Sequence, residues 1–445
     1  MIRLYCIPPV MIHKAQKPMT YPEALSSLSG MHHLGIRLGL EPIASLLGRL
    51  GNPQDRYPTL LVAGTNGKGS VAAMTAAMLA AGGYRTALYT SPDLIDVRER
   101  IRIDGRMIGR GEMARCIREV KAQVTEEVSY FEFLTAVAML HFYNQRVDIA
   151  ILEVGMGGRL DATNVVTPLV SVITNVSLDH QAYLGRTLSA IAQEKGGIIK
   201  PGVPCLTAAL QRPVVDAIQG ICREENAPFY RLGDAMRLRI HRDGRFSYQG
   251  LERRFDRLTC PLPGRHQRRN AALALGILEL IAPRFPLDER VIRRGLRQTR
   301  WEGRLEILGR RPLLLVDGAH NPAGAAALRR ALLEDFSYRR LWLIFGVLGD
   351  KDYRRIAAPL FPLAHEVILT RPGSDRALPM AALLPAAAQY QCRIVVREDP
   401  GKALQYACSR AGDRDLICVS GSLYLVGDIK GILRCRRGFL KEARP

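Results

Sequence analysis

No Cys-x-x-Cys pair occurs anywhere in the 445 residues; the nine cysteines, from Cys6 to Cys435, are scattered singly. Such spacing does not build a disulfide framework, so a reduced, cytoplasmic setting is expected. Long apolar runs are also lacking: none approaches the ~20 residues a bilayer-spanning helix needs, which argues against a membrane partner. Aromatic residues make up only 6% of the chain, and no basic stretch interleaved with them stands out. Acidic residues are outnumbered, 42 against 63 Lys and Arg, for a formal charge of +21. A surface of that sign attracts anions of every class. The arginines are nevertheless spread along the chain, with only short clusters such as Arg268-Arg269 and Arg436-Arg437. A solvated basic surface without a nucleic-acid partner is the simpler expectation.

The length suits two domains, each with its own core. From Met1 to Pro18 the apolar residues are interrupted by Pro8 and Pro9 before a signal-peptide core can form. A disordered or loosely attached leader is expected there, with Met19 as an alternative start. From Thr59 onward, short β-branched runs alternate with helical segments, the pattern of βαβ units feeding a mainly parallel sheet. Strands are expected at 59–63, 85–89, 148–154, 169–174 and 203–207, and helices over 70–81 and 188–199. Between Met236 and Leu258 strand-like alternation surrounds Asp243-Gly244, a favoured hairpin turn. Helices are then expected over 267–281 and 288–298, and Trp301-Glu302-Gly303-Arg304 breaks the pattern. A second alternating series runs from 312 to 419 and reads as a Rossmann-like α/β domain. The expected division is a leader over 1–18, a first domain over 19–301 and a second over 302–445.

The strongest local signal is Gly64-Thr65-Asn66-Gly67-Lys68-Gly69-Ser70, which follows a strand and opens a helix. Glycines there let successive backbone N–H groups face one anion, the helix start adds positive potential, and Lys68 supplies a full charge for β/γ-phosphates. The segment departs from the regular G-x-x-x-x-G-K-[ST] pattern, since Gly69 follows the lysine and the hydroxyl arrives one residue later at Ser70. A second cluster runs from Glu153 through Gly155, Gly157 and Gly158 to Asn164. Glu153 closes an expected strand, where α/β sheets collect ligands, and suits Mg²⁺; a salt bridge or helix cap is the competing reading. His180, in Asn175-Val176-Ser177-Leu178-Asp179-His180, reads by itself as a hydrogen-bonded structural histidine. Lys195, in Glu194-Lys195-Gly196, reads as a solvent-facing helix lysine.

Taken together, and in order, these pieces resemble the Mur-ligase superfamily, most closely its folylpolyglutamate synthase/dihydrofolate synthase branch. The resemblance runs from about Tyr21 onward. It includes Gly35-Ile36-Arg37-Leu38-Gly39-Leu40-Glu41, Leu50-Gly51-Asn52-Pro53, the Gly64–Ser70 loop, Thr90-Ser91-Pro92, Arg98-Glu99-Arg100-Ile101, the 153–164 segment, Leu178-Asp179-His180 and Glu194-Lys195-Gly196. Further along it includes Asp317-Gly318-Ala319-His320-Asn321-Pro322 and Ser420-Gly421-Ser422-Leu423-Tyr424.

The resemblance implies a P-loop Mur-ligase-type ATPase domain followed by a Rossmann-like glutamate-ligase domain. It implies that Gly64 to Ser70 hold ATP phosphates and that Ser91, Glu153 and His180 are Mg²⁺ ligands. Lys195 becomes a carbamylated lysine, overturning its solvent-facing reading. Asn270, Arg304 and Asp317 become nucleotide contacts near the domain junction, His320 and Ser420 contacts of the incoming glutamate, and Phe131 and Asp161 pterin-side contacts. Lys68, Lys195, His180 and His320 are then the candidate catalytic residues. ATP, L-glutamate and a folate or dihydropteroate are the implied small-molecule partners of a monomer. One departure stands out: the family commonly has His after Thr-Ser-Pro, and here Asp93 follows. The rival readings are a Mur-type ligase for another acidic acceptor and a nucleotide-binding module that ligates nothing.

Overall fold

The computed structural model describes residues 19–31 and 39–435. The expected leader over 1–18, residues 35–38 of the approach segment and the Arg436-Arg437 cluster lie outside the described residues. The first body is built on an eight-stranded sheet of order β4-β3-β2-β5-β1-β6-β7-β8. Its strands are β1 (Thr59–Ala63), β2 (Thr86–Tyr89), β3 (Ile101–Ile103), β4 (Arg106–Met107), β5 (Ile149–Glu153), β6 (Ser171–Ile173), β7 (Cys205–Thr207) and β8 (Phe229–Arg231). From β2 to β8 neighbours run parallel, while β3 and β4 add an antiparallel edge. All residues of β1 are buried and alternate between the two faces: Leu61 and Ala63 join one core cluster, Leu60 and Val62 the other. This is the unbroken apolar run expected of a strand covered on both sides.

The segment around Asp243-Gly244 is a three-stranded antiparallel sheet, β9 (Arg237–Ile240), β10 (Phe246–Gln249) and β11 (Arg254–Leu258), one strand more than the expected hairpin. Phe246, Tyr248 and Phe255 bury it against the second core cluster of the first body. The second body holds a six-stranded sheet of order β12-β13-β17-β14-β15-β16. Its strands are β12 (Glu306–Arg310), β13 (Leu313–Val316), β14 (Leu341–Phe345), β15 (Glu366–Leu369), β16 (Arg393–Val396) and β17 (Leu416–Ser420). Only β12 is antiparallel to its neighbour.

The doubly covered strands matched expectation to within two residues at each end. Missed altogether were the edge strands β4, β8 and β12, the short β3 beside β4, and helices Tyr21–Ser29, Glu41–Arg49, Arg110–Ala122, Tyr130–Asn144, Gln181–Leu184, Arg212–Glu224 and Leu423–Cys435. Edge strands carry short, half-polar patterns. Helix Tyr130–Asn144 is apolar on nearly every side, which erases the 3.6-residue period. Helix Leu188–Gly196 ends before Ile199 at Gly197, and helix Tyr353–Ala357 stops short of Leu360 because Pro359 has no N–H with which to continue the helical bonds.

Helix Glu289–Gln298 packs on helix Lys68–Ala81 so closely that a Cβ at Gly295 would lie 2.5 Å from Met78 Cα and 2.8 Å from Ala77 O. Gly295→Val therefore wedges the pair apart and lowers stability by about 1–3 kcal/mol, as thermal denaturation will read. His141 is 3% exposed, its Nδ1 has no partner, and burial pushes its pKa down from 6.5 to about 4 against a weaker pull from Glu112. The unfolded chain takes up this proton below about 6.5 and the folded chain does not until about 4, so His141 makes stability fall as pH drops through that window. His141→Leu reduces the slope by up to about 1.4 kcal/mol per pH unit between those limits.

Candidate active site

The parallel register brings the ends of β5, β1 and β6 side by side, because these strands are neighbours in the sheet. Gly64 follows β1, Glu153 ends β5, and Asn175 follows β6. Gly64 has φ 141° and Gly67 φ 86°. A Cβ at Gly64 would overlap Thr174 Oγ1, and one at Gly67 would lie 2.7 Å from Asn270 Oδ1, so both positions require glycine. Helix Lys68–Ala81 starts at the loop's lysine. Lys68 Nζ folds back to donate to Gly64 O at 3.2 Å and Thr65 O at 3.4 Å. The loop's far side is fixed by Thr174 Oγ1 and Asn175 Nδ2, each donating to Asn66 O at 2.7 Å. Ser70 Oγ is buried without a partner, an orphaned hydroxyl in the wall of the cleft.

That cleft, of about 350 Å³, brings together the whole Gly64–Ser70 loop with Ser91, Glu153, His180 and Lys195 from the first body. Asn270 joins them, and Arg304, Asp317 and His320 arrive from the junction and the second body. A second cavity of about 310 Å³ adjoins it and shares Ser91, Gly155, His180 and His320. Its first-body wall includes Phe131, Met156, Leu160 and Asp161; the opposite wall carries His320, Lys351, Arg376, Ser422 and Tyr424. Phe131 closes over Gly155, where a Cβ would lie 2.6 Å from the ring. Asp161 is buried and caps the turn Ala162–Val165, accepting from Thr163 N, Thr163 Oγ1 and Met156 N at 3.0, 2.6 and 2.9 Å. Ser420, at the end of β17, is fully buried with an unpartnered Oγ and lines neither cavity, whereas Ser422 does.

Burial governs the ionisable groups. Lys195 is 4% exposed, which corrects the solvent-facing reading; desolvation and the charge of Lys68 push its pKa down to about 7. Its Nζ donates to Gly64 O at 3.2 Å. Glu153 accepts from Ser91 N at 3.3 Å, and burial raises its carboxyl above the usual range against the pull of Lys68. Desolvation pushes His180 and His320 down to about 4, leaving neutral imidazoles at pH 7. His320 Nδ1 lies 2.7 Å from Gly318 O; since the carbonyl can only accept, Nδ1 carries the proton and Nε2 its lone pair. Among the described residues, no three His, Cys, Asp or Glu side chains gather as a closed metal cage. A single buried carboxylate beside a phosphate cradle fits Mg²⁺, which takes one or two carboxylates and completes its shell with waters and phosphate oxygens.

The sequence reading quoted Asp179 and Asn321 only as motif positions and passed over Lys351, because each works through a partner far away in the chain. Lys351 Nζ donates to Asp179 Oδ1 at 2.8 Å and lies 3.4 Å from His180 Nε2. Asn321 Nδ2 donates to Asp179 Oδ2 and to Asn66 Oδ1, both at 3.0 Å. Asp179, Asn321 and Lys351 thus join the two bodies beside the phosphate loop. Burial raises the Asp179 pKa, but the Lys351 ammonium, with smaller contributions from His180 and His320, holds it well below the usual carboxylate range. Asp93, the departure from the family pattern, pairs with Arg100, which lines the second cavity and lies 5.5 Å from the Tyr130 ring centroid.

Two stacked α/β bodies, with a phosphate loop in one and cations facing it from the other, define the Mur-ligase class. The chain matches the Mur ligase middle domain over residues 62–278 and the Mur ligase glutamate ligase domain over 303–423. It is 34% identical to the dihydrofolate synthase/folylpolyglutamate synthase of Bacillus subtilis over 93% of this chain and 99% of that protein. It is 37% identical to the folylpolyglutamate synthase of Lacticaseibacillus casei, with the same coverage. The solved Escherichia coli FolC, in complex with DHPP and ADP, superposes with a TM-score of 0.88 at 29% identity, covering 95% of this chain and 100% of that one. The chain belongs to the folylpolyglutamate synthase/dihydrofolate synthase family.

Lys351→Met strands the buried Asp179 carboxylate and lowers stability by about 3–5 kcal/mol in denaturant unfolding. Adding Asp179→Asn recovers most of that loss, and the double-mutant cycle reports the coupling.

Proposed function

We propose that this chain is an ATP-dependent ligase that adds L-glutamate to folates and also to dihydropteroate, through an acyl phosphate. The observation that carries the reading is the joining of a phosphate cleft to a partly aromatic cavity at His180 and His320. The serine that meets a carboxylate in the acceptor cavity, Ser129 on Glu132 at 2.6 Å, belongs to the capping box of helix Tyr130–Asn144; the acceptor carboxylate is itself the nucleophile. Its oxygen attacks the γ-phosphorus as the bond to the β-phosphate oxygen breaks, and ADP leaves. Lys68 and the backbone N–H groups of residues 64–70 take up charge that develops on the phosphate oxygens. The glutamate amine then attacks the acyl carbon, and phosphate departs. His320, neutral and with Nε2 unprotonated, is placed to take the proton that the amine loses.

Ser91, Glu153 and His180 would hold Mg²⁺, which neutralises β/γ-phosphate charge when bound. Asn270, Arg304 and Asp317 contact the nucleotide near the domain junction, and Phe131 and Asp161 the pterin side of the acceptor. His320 and Ser420 serve the incoming glutamate, Ser420 from beneath the wall that Ser422 lines. Lys195 is carbamylated: with its pKa near 7, much of it is the neutral amine that reacts with carbon dioxide. The functional domains are 19–301 and 302–445, and the enzyme works as a cytoplasmic monomer without nucleic-acid or membrane partners. Among the described residues no helix is long and apolar enough to cross a membrane.

ADP release is to be measured with ATP, Mg²⁺ and L-glutamate in the presence of dihydropteroate, of tetrahydrofolate, or of neither. Release is expected with both acceptors and not without one. Lys195→Ala is expected to lose activity by about 100-fold or more, with wild-type mass higher by one carboxylate under native conditions. ADP release that ignores both glutamate and acceptor contradicts the ligase reading, and silence with both acceptors contradicts the folate assignment.

A further inference from the structure

The segment from Ser91 to Asp96 is held by both bodies at once. At its start Ser91 N donates to Glu153 and the residue lines both cavities. Asp93 then pairs with Arg100 in the acceptor wall. Leu94 N donates to Glu99 Oε2 at 2.8 Å, and Glu99 is itself buried. The Leu94 side chain leaves the first body and packs against one core cluster of the second. Its Cδ1 would lie 3.3 Å from a Cβ on Gly303, which has φ 68°, and Val426 Cγ1 flanks the same point at 3.4 Å.

The receiving surface is a glycine inside helix Leu423–Cys435. Gly427 is buried, and a Cβ there would overlap the carbonyl oxygen of Leu94. Glycine is unfavourable within a helix, so its presence there calls for a reason, and the close approach of the Leu94 backbone supplies one. The same helix places Leu423 and Tyr424 in the acceptor cavity, and its Lys430 binds Glu302 and Glu306, each at 2.6 Å, anchoring the helix to the junction. A shift of this helix therefore moves Leu94, and only two residues separate Leu94 from Ser91.

We infer that Leu94, seated on Gly427, is a positioning residue for the ligation: it ties the placement of Ser91 and Arg100 to the docked position of the second body. The inference rests on the ligase reading. With the seat filled, the phosphate cleft and the acceptor cavity are set by one mechanical link; with it broken, the nucleotide loop stays intact while the acceptor wall and Ser91 drift.

The test compares full-length wild type with Leu94→Ala, Gly427→Ala and the conservative Leu94→Met. It reads kcat and KM for glutamate-dependent ADP release, ADP affinity by calorimetry, and Tm. Leu94→Ala and Gly427→Ala are expected to lower kcat by about tenfold or more and to raise the acceptor KM, while ADP affinity stays within about twofold. Leu94→Met is expected to stay within about threefold of wild type. The inference is overturned if both disruptive variants keep kcat within about twofold, or if ADP affinity and Tm collapse in step with kcat. A wild type that releases no ADP in response to L-glutamate removes the ligase reading and this inference together; an active wild type indifferent to both substitutions removes the inference alone.

Discussion

The arrangement depends on one constraint: parallel strands end on the same edge of their sheet. Because β5, β1 and β6 are neighbours, Glu153, the Gly64–Ser70 loop and Asn175 emerge together. The second sheet repeats the device, with β13, β17 and β14 side by side and Asp317 and Ser420 at their ends. Placing two such edges against each other yields a cleft that neither body could form alone. Contacts that hold the edges in apposition include Asn321 to Asn66 and Asp179, Lys351 to Asp179, Arg265 to Glu334, and Leu94 on the second body's core.

Electrostatics follow from that geometry. Lys68, Lys351 and Arg304 converge on a region that also holds the carboxylates of Glu153, Asp161, Asp179 and Asp317. Glu153 and Asp179 differ in pKa because their surroundings differ: burial dominates at Glu153, whereas the Lys351 ammonium outweighs burial at Asp179. Neutral imidazoles at His180 and His320 add no positive charge at pH 7 and retain lone pairs. Lysines at the phosphate loop and facing it suit a reaction whose substrates are all anions, and the formal charge of +21 favours anions over the whole chain.

Much of this was legible in the sequence, for identifiable reasons. The phosphate loop announces itself because its chemistry is local: glycines, a lysine and a helix start within seven residues. Doubly buried strands such as β1 and β14 read clearly as apolar runs. Lys195 did not, since a lysine's burial depends on what packs over it; only the family resemblance flagged it. The joining role of Asn321, Asp179 and Lys351 was invisible for the same reason: their partners lie 142 to 255 positions away. Asp93 looked like an anomaly until Arg100 appeared beside it, and Ser420 lies one layer deeper than its motif suggests.

The central claim is that the acceptor carboxylate attacks ATP and passes through an acyl phosphate. The most direct measurement supplies an acceptor whose terminal carboxylate carries ¹⁸O on both oxygens and follows the label by mass spectrometry during turnover with ATP and L-glutamate. The account predicts one ¹⁸O in each inorganic phosphate released and one retained in the new amide. Phosphate free of label, with ligated product formed, would contradict it.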